Sequence, residues 1–419
     1  MLFASTPLHF PSWHLYGVIG SLDCLRCDTV FGILFSHSYY SIVSEITFRK
    51  LEIGPASVRV EAKTGVEAYD LVFDFSNPLS VSCTSVAIAM STLCGKAFRR
   101  ITFDFPVAES AVERIRELTS AEIQVDSAES PVNSLRRGNL LSFSGGFDSL
   151  AAKALMPADT KLVSLDFGGR FARERSFFEK FDTVRVSTNI TGTPLKRNSW
   201  SFMGIGAILT SDFFHAEFHT FGSILEAGPD NITLSPVAAR NSTFPPFKAA
   251  GYQNAPYVLG LSEIGTLTVM FQTWPELVGE SLLSLASPGE EKLYRKSVIA
   301  RLVADSLSIS ADIPEIAPLS SPHFKFGDNF TIDMLTLYVI AKTGDRTARN
   351  LVRDIPSEVL DATRGLSMSF MERANPVMYE NFPPSLAPDL NKRLAECGIK
   401  WYTEKDWEEF KKVRSLFIK

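Results

Sequence analysis

The sequence predicts an α/β protein in which a parallel sheet wrapped by helices follows an α+β segment and precedes a helical C-terminal region. Between residues 139 and 221, short apolar runs alternate with helical stretches, the succession that builds crossover units on a parallel sheet. Residues 28–75 are instead rich in β-type runs, and the chain beyond Phe326 carries mostly helical patterns.

The elements follow in order. Strands are expected at 41–48, 56–62 and 69–75; the last, Tyr69-Asp70-Leu71-Val72-Phe73-Asp74-Phe75, alternates as a half-buried strand does. Small apolar residues at 84–96 fit a buried helix, 101–105 a strand, 108–118 a helix with Val112, Ile115 and Leu118 at helical spacing, and 123–125 a short strand. Polar residues at 127–138 mark a boundary. Strands at 140–143, 161–167 and 183–187 then alternate with helices at 150–155, ended by Pro157, and 172–181. A buried helix at 202–213 and a strand at 216–221 complete the series. Right-handed crossovers set the strand carboxyl ends at one edge, where ligands sit in such sheets. Residues 228–258, rich in Pro, Gly, Asn and Ser, read as a long irregular connection, either a ligand cover or disordered. Helices are expected at 276–286 and 291–307, then near 332–342, 346–353, 387–396 and 404–416, with Thr403 and Asp406 in the form of a capping box. The chain thus divides into segments 1–132, 139–319 and 320–419.

Composition narrows the function classes. A chain of 419 residues with 45% hydrophobic content has room for two or three domains and a large core. The net charge of −5, from 42 basic and 47 acidic residues, does not suggest a nucleic-acid scaffold, and no aromatic-laced basic stripe points to RNA. The 32 phenylalanines read as core packing. Five cysteines, an odd and low number, argue against a secreted disulfide framework. The start lacks a basic region followed by a long apolar run, and no stretch approaches the roughly 18 apolar residues of a membrane span. A soluble cytoplasmic protein is the expectation.

The strongest chemical signal is Ser144-Gly145-Gly146-Phe147-Asp148-Ser149, between an apolar strand and an apolar helix. Two glycines leave clearance for a phosphate and reach conformations closed to other residues. The helix that follows opens with unpaired N–H groups and a partial positive potential, which suit pyrophosphate. Ser144 and Ser149 add hydroxyl donors. Asp148 repels bare phosphate, so it fits a Mg²⁺ ligand or a helix cap. The Lys-Ser/Thr of the phosphate-transferring NTPases and the third glycine of the dinucleotide fingerprint are both missing. The bland alternative is a tight strand–helix turn with a polar cap.

The hexapeptide resembles the signature of the N-type ATP pyrophosphatases, the PP-loop family; the resemblance covers roughly residues 139–305, and only this first motif is specific. The resemblance implies an adenine-nucleotide α-hydrolase-like, Rossmann-like fold and cleavage of ATP between its α and β phosphates. AMP passes to a carboxylate, amide or related carbonyl oxygen, pyrophosphate leaves, and a nucleophile such as ammonia or an amine displaces AMP. It further implies that residues 144–149 hold the β and γ phosphates, and that main-chain atoms near Leu165, Asp166 and Phe167 recognise adenine. ATP and Mg²⁺ are the expected cofactors, with Asp148 and Glu226 as metal ligands. The acceptor is a small molecule or a protein terminus, and a homodimer is expected only by analogy with the fold. The chain departs from the family at Leu259-Gly260-Leu261-Ser262-Glu263-Ile264, where several members carry a phosphate-reaching Lys in place of Glu263. Lys248, Arg295 or Lys296 is the expected substitute cation. The 7-cyano-7-deazaguanine synthase branch is similar, but its zinc cysteines are missing: no cysteine lies between 95 and 396. Sulfur transfer to a nucleotide or RNA, or nucleotide binding without turnover, are the alternatives.

Weaker constellations complete the inventory. Cys24 and Cys27 have the spacing of half a zinc site or a redox pair, with no matching second pair; Cys83, Cys94 and Cys397 read as packing. His215 and His219 are four apart, a spacing open to a metal pair but commoner for structural histidines. Arg170, Arg173, Arg175, Arg240 and Tyr257 are candidates for substrate contact or ordinary surface charge.

Overall fold

The computed structural model describes residues 45–130, 135–228, 231 and 243–417. Cys24, Cys27, Arg240 and the first residues of the 41–48 strand lie outside them. The N-terminal segment opens with an antiparallel meander of β1 (Glu45–Gly54), β2 (Ser57–Thr64) and β3 (Glu67–Phe75). As the alternation requires, Leu71, Phe73 and Phe75 point into the core. Helix α1 (Cys83–Cys94) starts where the Ser82 side chain accepts the Ser85 N–H, an N-cap. Strands β4 (Arg100–Phe103) and β5 (Glu122–Val125), joined by α2 (Glu109–Thr119), add parallel to β1.

The central segment supplies β6 (Asn139–Ser142), α3 (Phe147–Leu155), β7 (Lys161–Asp166), α4 (Ala172–Phe178), β8 (Thr183–Thr188), α5 (Ile205–Leu209), α6 (Ser211–Phe214), β9 (Phe218–Thr220), α7 (Pro245–Ala249) and β10 (Gln253–Asn254). Their parallel order is β8-β7-β6-β9-β10. The first strand is central, and the chain builds outward on one side before crossing to the other. This is the doubly wound pattern, in which the strand order reverses at β6.

The two segments share one sheet. Strand β3 pairs antiparallel with β8, Phe73 opposite Thr188 and Phe75 opposite Val186, giving the order β10-β9-β6-β7-β8-β3-β2-β1-β4-β5. The Asn189 amide extends the seam: it accepts the Val72 N–H at 3.0 Å and donates to the Asp70 carbonyl at 2.7 Å. Alternate strand residues separate two layers. Leu140, Val163, Val184 and Val186 pack with α1, α5 and α7. On the other face, Leu141 and Leu162 pack with α3, α4, α8 (Glu263–Thr273), α9 (Val278–Leu285) and α10 (Glu291–Leu307).

The C-terminal region is largely helical, through α11 (Phe330–Thr343), α12 (Asp345–Ala348), α13 (Ser357–Thr363), α14 (Ala387–Glu396) and α15 (Glu404–Phe417). It shares a core with the central segment: Leu335, Met368, Phe370 and Phe410 belong to the same cluster as Phe143 and Leu150. No helix among the described residues is long and apolar enough to cross a membrane.

Several expectations are corrected. The helix read at 202–213 is a 3₁₀ turn (Trp200–Gly204) followed by α5 and α6. The irregular connection at 228–258 contains α7 and β10. The helix read at 346–353 stops at Ala348, and Val352–Arg353 forms β12, paired with β11 (Phe324–Lys325).

The seam generates a test. Phe73 is fully buried on the strand that joins the two segments. Phe73→Ala is expected to cost about 3–5 kcal/mol in denaturant unfolding, with a single transition moving as a whole. Two transitions of which only one shifts would mean that the segments fold independently.

Candidate functional site

The chain leaves β6 at the order reversal and turns through Ser144, Gly145 and Gly146 into α3. Gly145 has φ +74°, a region that favours glycine. Gly146 is the N-cap of α3, in extended conformation, and no side chain caps the helix. Its first turn therefore presents N–H groups without an intrahelical acceptor. Ser144 accepts the Gly146 N–H at 3.4 Å and meets the Ser149 hydroxyl at 3.2 Å. Ser149 in turn donates to the Gly146 carbonyl at 3.0 Å. The loop after β9 closes in: a Cβ on Gly222 would lie 2.7 Å from Asp148 C and Ser149 N.

The packing of the two glycines corrects one expectation. Both are buried. A Cβ on Gly145 would meet the Phe177 ring at 2.6 Å, and one on Gly146 would meet Leu285 at 3.0 Å. The space over their Cα atoms is filled by α4 and α9, so on those faces the glycines provide clearance for protein and not for phosphate. Ser281 also donates to the Gly145 carbonyl at 2.8 Å. Solvent reaches the turn at Ser144, which is exposed, and at the half-buried Asp148.

Beside the turn lies a buried ionic cluster. Asp148 accepts the Thr266 hydroxyl from α8 at 2.9 Å. Glu263, at the start of α8, pairs with Lys296 at 2.8 Å and lies 4.0 Å from Arg295. Arg295 also pairs with Glu291, one turn away, at 2.8 Å. The Lys296 ammonium sits 5.1 Å from the Phe147 ring centroid, a cation–π contact. Glu226 follows β9 and is fully buried; one of its oxygens accepts the Glu263 N–H at 2.6 Å. Its Oε2 has no hydrogen-bond partner among the described residues.

Burial governs the charges. It pushes Asp148 up to about 6, although Lys296 works against it, and it pushes Glu226 up to about 8. Burial would raise Glu263 too, but Lys296 and Arg295 outweigh it and hold that carboxylate below its ordinary range. Lys292, on the same face of α10, is pushed down to about 8 by burial, with Lys296 and Arg295 adding to the effect. Glu174 on α4 is pushed up to about 7, again by burial.

Of the expected site residues, the fold gathers Ser144 to Ser149, Glu226, Glu263, Arg295 and Lys296 near the start of α3. Lys248 is elsewhere: it is exposed on α7, which packs against α1 and α2 on the opposite face of the sheet. Asp166 ends β7 beside half-buried Leu165; it accepts the Gly168 N–H at 2.9 Å and lies 3.9 Å from Arg185. Phe167 packs edge-on against Phe171 and Phe202. Arg173 ties α4 to the end of α9 through the Ser284 carbonyl at 2.9 Å, and Arg175 pairs with Glu179 at 3.5 Å. Buried His219 stacks on Phe247 with centroids 4.3 Å apart and meets the Ser142 hydroxyl at 2.9 Å. Thr266, Lys292 and Glu174 escape a reading of the sequence. For Lys292 a signal existed: it is four residues before Lys296, hence on the same helix face.

Mg²⁺ commonly takes one or two protein carboxylates and completes its shell with phosphate oxygens and water. Asp148 and the unpartnered Glu226 oxygen suit that pattern, because a cation relieves the charge each imposes on the other. Among the described residues no group of three or more His, Cys, Asp or Glu side chains is arranged to hold a metal. No family model matches the chain, and neither a curated protein nor a solved structure does.

The raised Glu226 pKa gives a signed test. The folded state binds this proton more tightly than the unfolded chain, so the associated stability is complete below about 4.5 and is lost as pH rises through about 8. Glu226→Gln keeps the acceptor for the Glu263 N–H and removes the titration. Its melting temperature is expected to match the wild type near pH 4.5 and to exceed it increasingly towards pH 8. Parallel melting curves across that range would contradict the assignment.

Proposed function

We propose that the chain binds ATP at the Ser144–Ser149 turn and transfers AMP to a carboxylate, amide or related carbonyl oxygen. The acceptor oxygen attacks the α phosphorus, the bond to the α–β bridging oxygen breaks, and pyrophosphate leaves with that electron pair. A nucleophile such as ammonia or an amine then displaces AMP. The observation that carries this reading is the uncapped start of α3, at the carboxyl end of the central strand, where the strand order reverses. Such a terminus favours anions. In this reading the N–H groups of residues 146–149, with Ser144 and Ser149, hold the β and γ phosphates. Main-chain atoms of Leu165, Asp166 and Phe167 meet adenine at the end of β7. Asp148 and Glu226 hold Mg²⁺, which when bound neutralises charge on the departing pyrophosphate. The central segment is then an adenine-nucleotide α-hydrolase-like domain of PP-loop type.

A second reading, nucleotide binding without turnover, is favoured by specific observations. Phe177 and Leu285 close over the glycines, and Glu263 stands where a phosphate-reaching lysine is expected, with its charge spent on Lys296 and Arg295.

Pyrophosphate release from ATP, measured with a cell metabolite extract as acceptor source, separates the two. Release supports adenylation; ATP binding without release supports the second reading; no ATP binding at millimolar concentration removes both. Asp148→Ala is expected to lower release by on the order of 10²- to 10³-fold with little change in melting temperature, because it removes a desolvated carboxylate. Full activity in that variant would eliminate the metal-holding role.

A further inference from the structure

Helix α10 carries Glu291, Lys292, Arg295 and Lys296 in its first two turns; Lys292 is one turn before Lys296, whose ammonium sits 5.1 Å from the Phe147 ring centroid at the start of α3. Two of these three cations are committed to protein carboxylates. Arg295 is held by Glu291 at 2.8 Å and approached by Glu263 at 4.0 Å; Lys296 is held by Glu263 at 2.8 Å. Lys292 differs. It is only partly exposed, yet it makes no ion pair or hydrogen bond with another described residue. The charged groups within its field are Glu174 from α4, Glu263 from α8, and Arg295 and Lys296 from its own helix; it also acts on Asp148 at the start of α3. A desolvated ammonium without a partner is costly unless an anion completes it.

We propose that Lys292 is the anion-holding residue of this site, donating to a phosphate oxygen of the nucleotide and of the departing pyrophosphate. It does so because Glu263 retains Lys296 and Arg295 within the protein. The proposal rests on the nucleotide reading above. It reassigns the phosphate cation from Arg295, Lys296 and Lys248 to a residue one helical turn closer to the start of α10. Glu263, in place of a phosphate-reaching lysine, becomes a positioning residue: it fixes two cations so that the third remains available.

The test is calorimetric titration of the full chain with inorganic pyrophosphate and Mg²⁺, and separately with ATP and Mg²⁺. Lys292→Gln is expected to weaken pyrophosphate binding on the order of 10- to 100-fold and to reduce its salt dependence, whereas Lys292→Arg stays within a few-fold of wild type. Removal of a desolvated charge is expected to leave the melting temperature of Lys292→Gln unchanged or raised. In the wild type, pyrophosphate affinity is expected to fall as pH rises through about 8, although the ligand itself becomes more anionic there. That readout needs no variant. Equal pyrophosphate affinity in wild type and Lys292→Gln, or wild-type affinity that climbs steadily above pH 8, overturns the assignment while leaving the nucleotide reading intact. Wild-type protein that binds neither probe at millimolar concentration overturns the nucleotide reading, and the role of Lys292 with it.

Discussion

At the carboxyl edge of the sheet, two loops from neighbouring strands touch backbone to backbone. Gly222, just past β9, lies against Asp148 and Ser149 so closely that even a methyl group would meet main-chain atoms at 2.7 Å. A rigid contact of this kind sets where α3 begins. On the other side of the turn, Phe177 and Leu285 hold Gly145 and Gly146 from behind. Strand β6, bounded by β7 and β9, therefore delivers an uncapped helix start into surroundings fixed by packing. Preorganised N–H groups of this sort need no reorganisation when an anion arrives.

The electrostatics follow from that geometry. Glu226 and Glu263 are shut off from solvent and Asp148 is half-buried; burial pushes the Asp148 and Glu226 carboxyls upward. Glu263 stays ionised only because Lys296 and Arg295 flank it. Removing one partner of such a buried pair strands the other charge, so these residues hold one another in place. Outside this mutual pairing stand Ser144, the helix start, one oxygen of Glu226 and Lys292.

Much of this was legible in the chain. The alternation at Tyr69–Phe75 places Leu71, Phe73 and Phe75 inward, and the spacing of Val112 and Ile115 describes α2. The turn at 144–149 was marked by its glycines between an apolar strand and an apolar helix. Other features had no local signature. Helix α8 is buried from Glu263 to Phe271, so its residues show no polar face to set a period. Helix α7 hides behind Pro245 and Pro246, which read as loop but occupy first-turn positions where a missing N–H costs nothing. The pairing of β3 with β8 joins residues more than a hundred positions apart, and no window of sequence contains both. The glycines sit in the strand–helix turn that the sequence marks, but their close neighbours on the Cα side are Phe177 and Leu285, which no local window reveals.

In the function proposed above, the start of α3 receives the phosphate chain of a nucleotide. The most direct test is a crystal structure of the protein with Mg²⁺ and an ATP analogue whose α–β bridge is a methylene group. The account requires the β and γ phosphates to lie against the N–H groups of residues 146–149. Analogue bound at another edge of the sheet, with that helix start untouched, would contradict it.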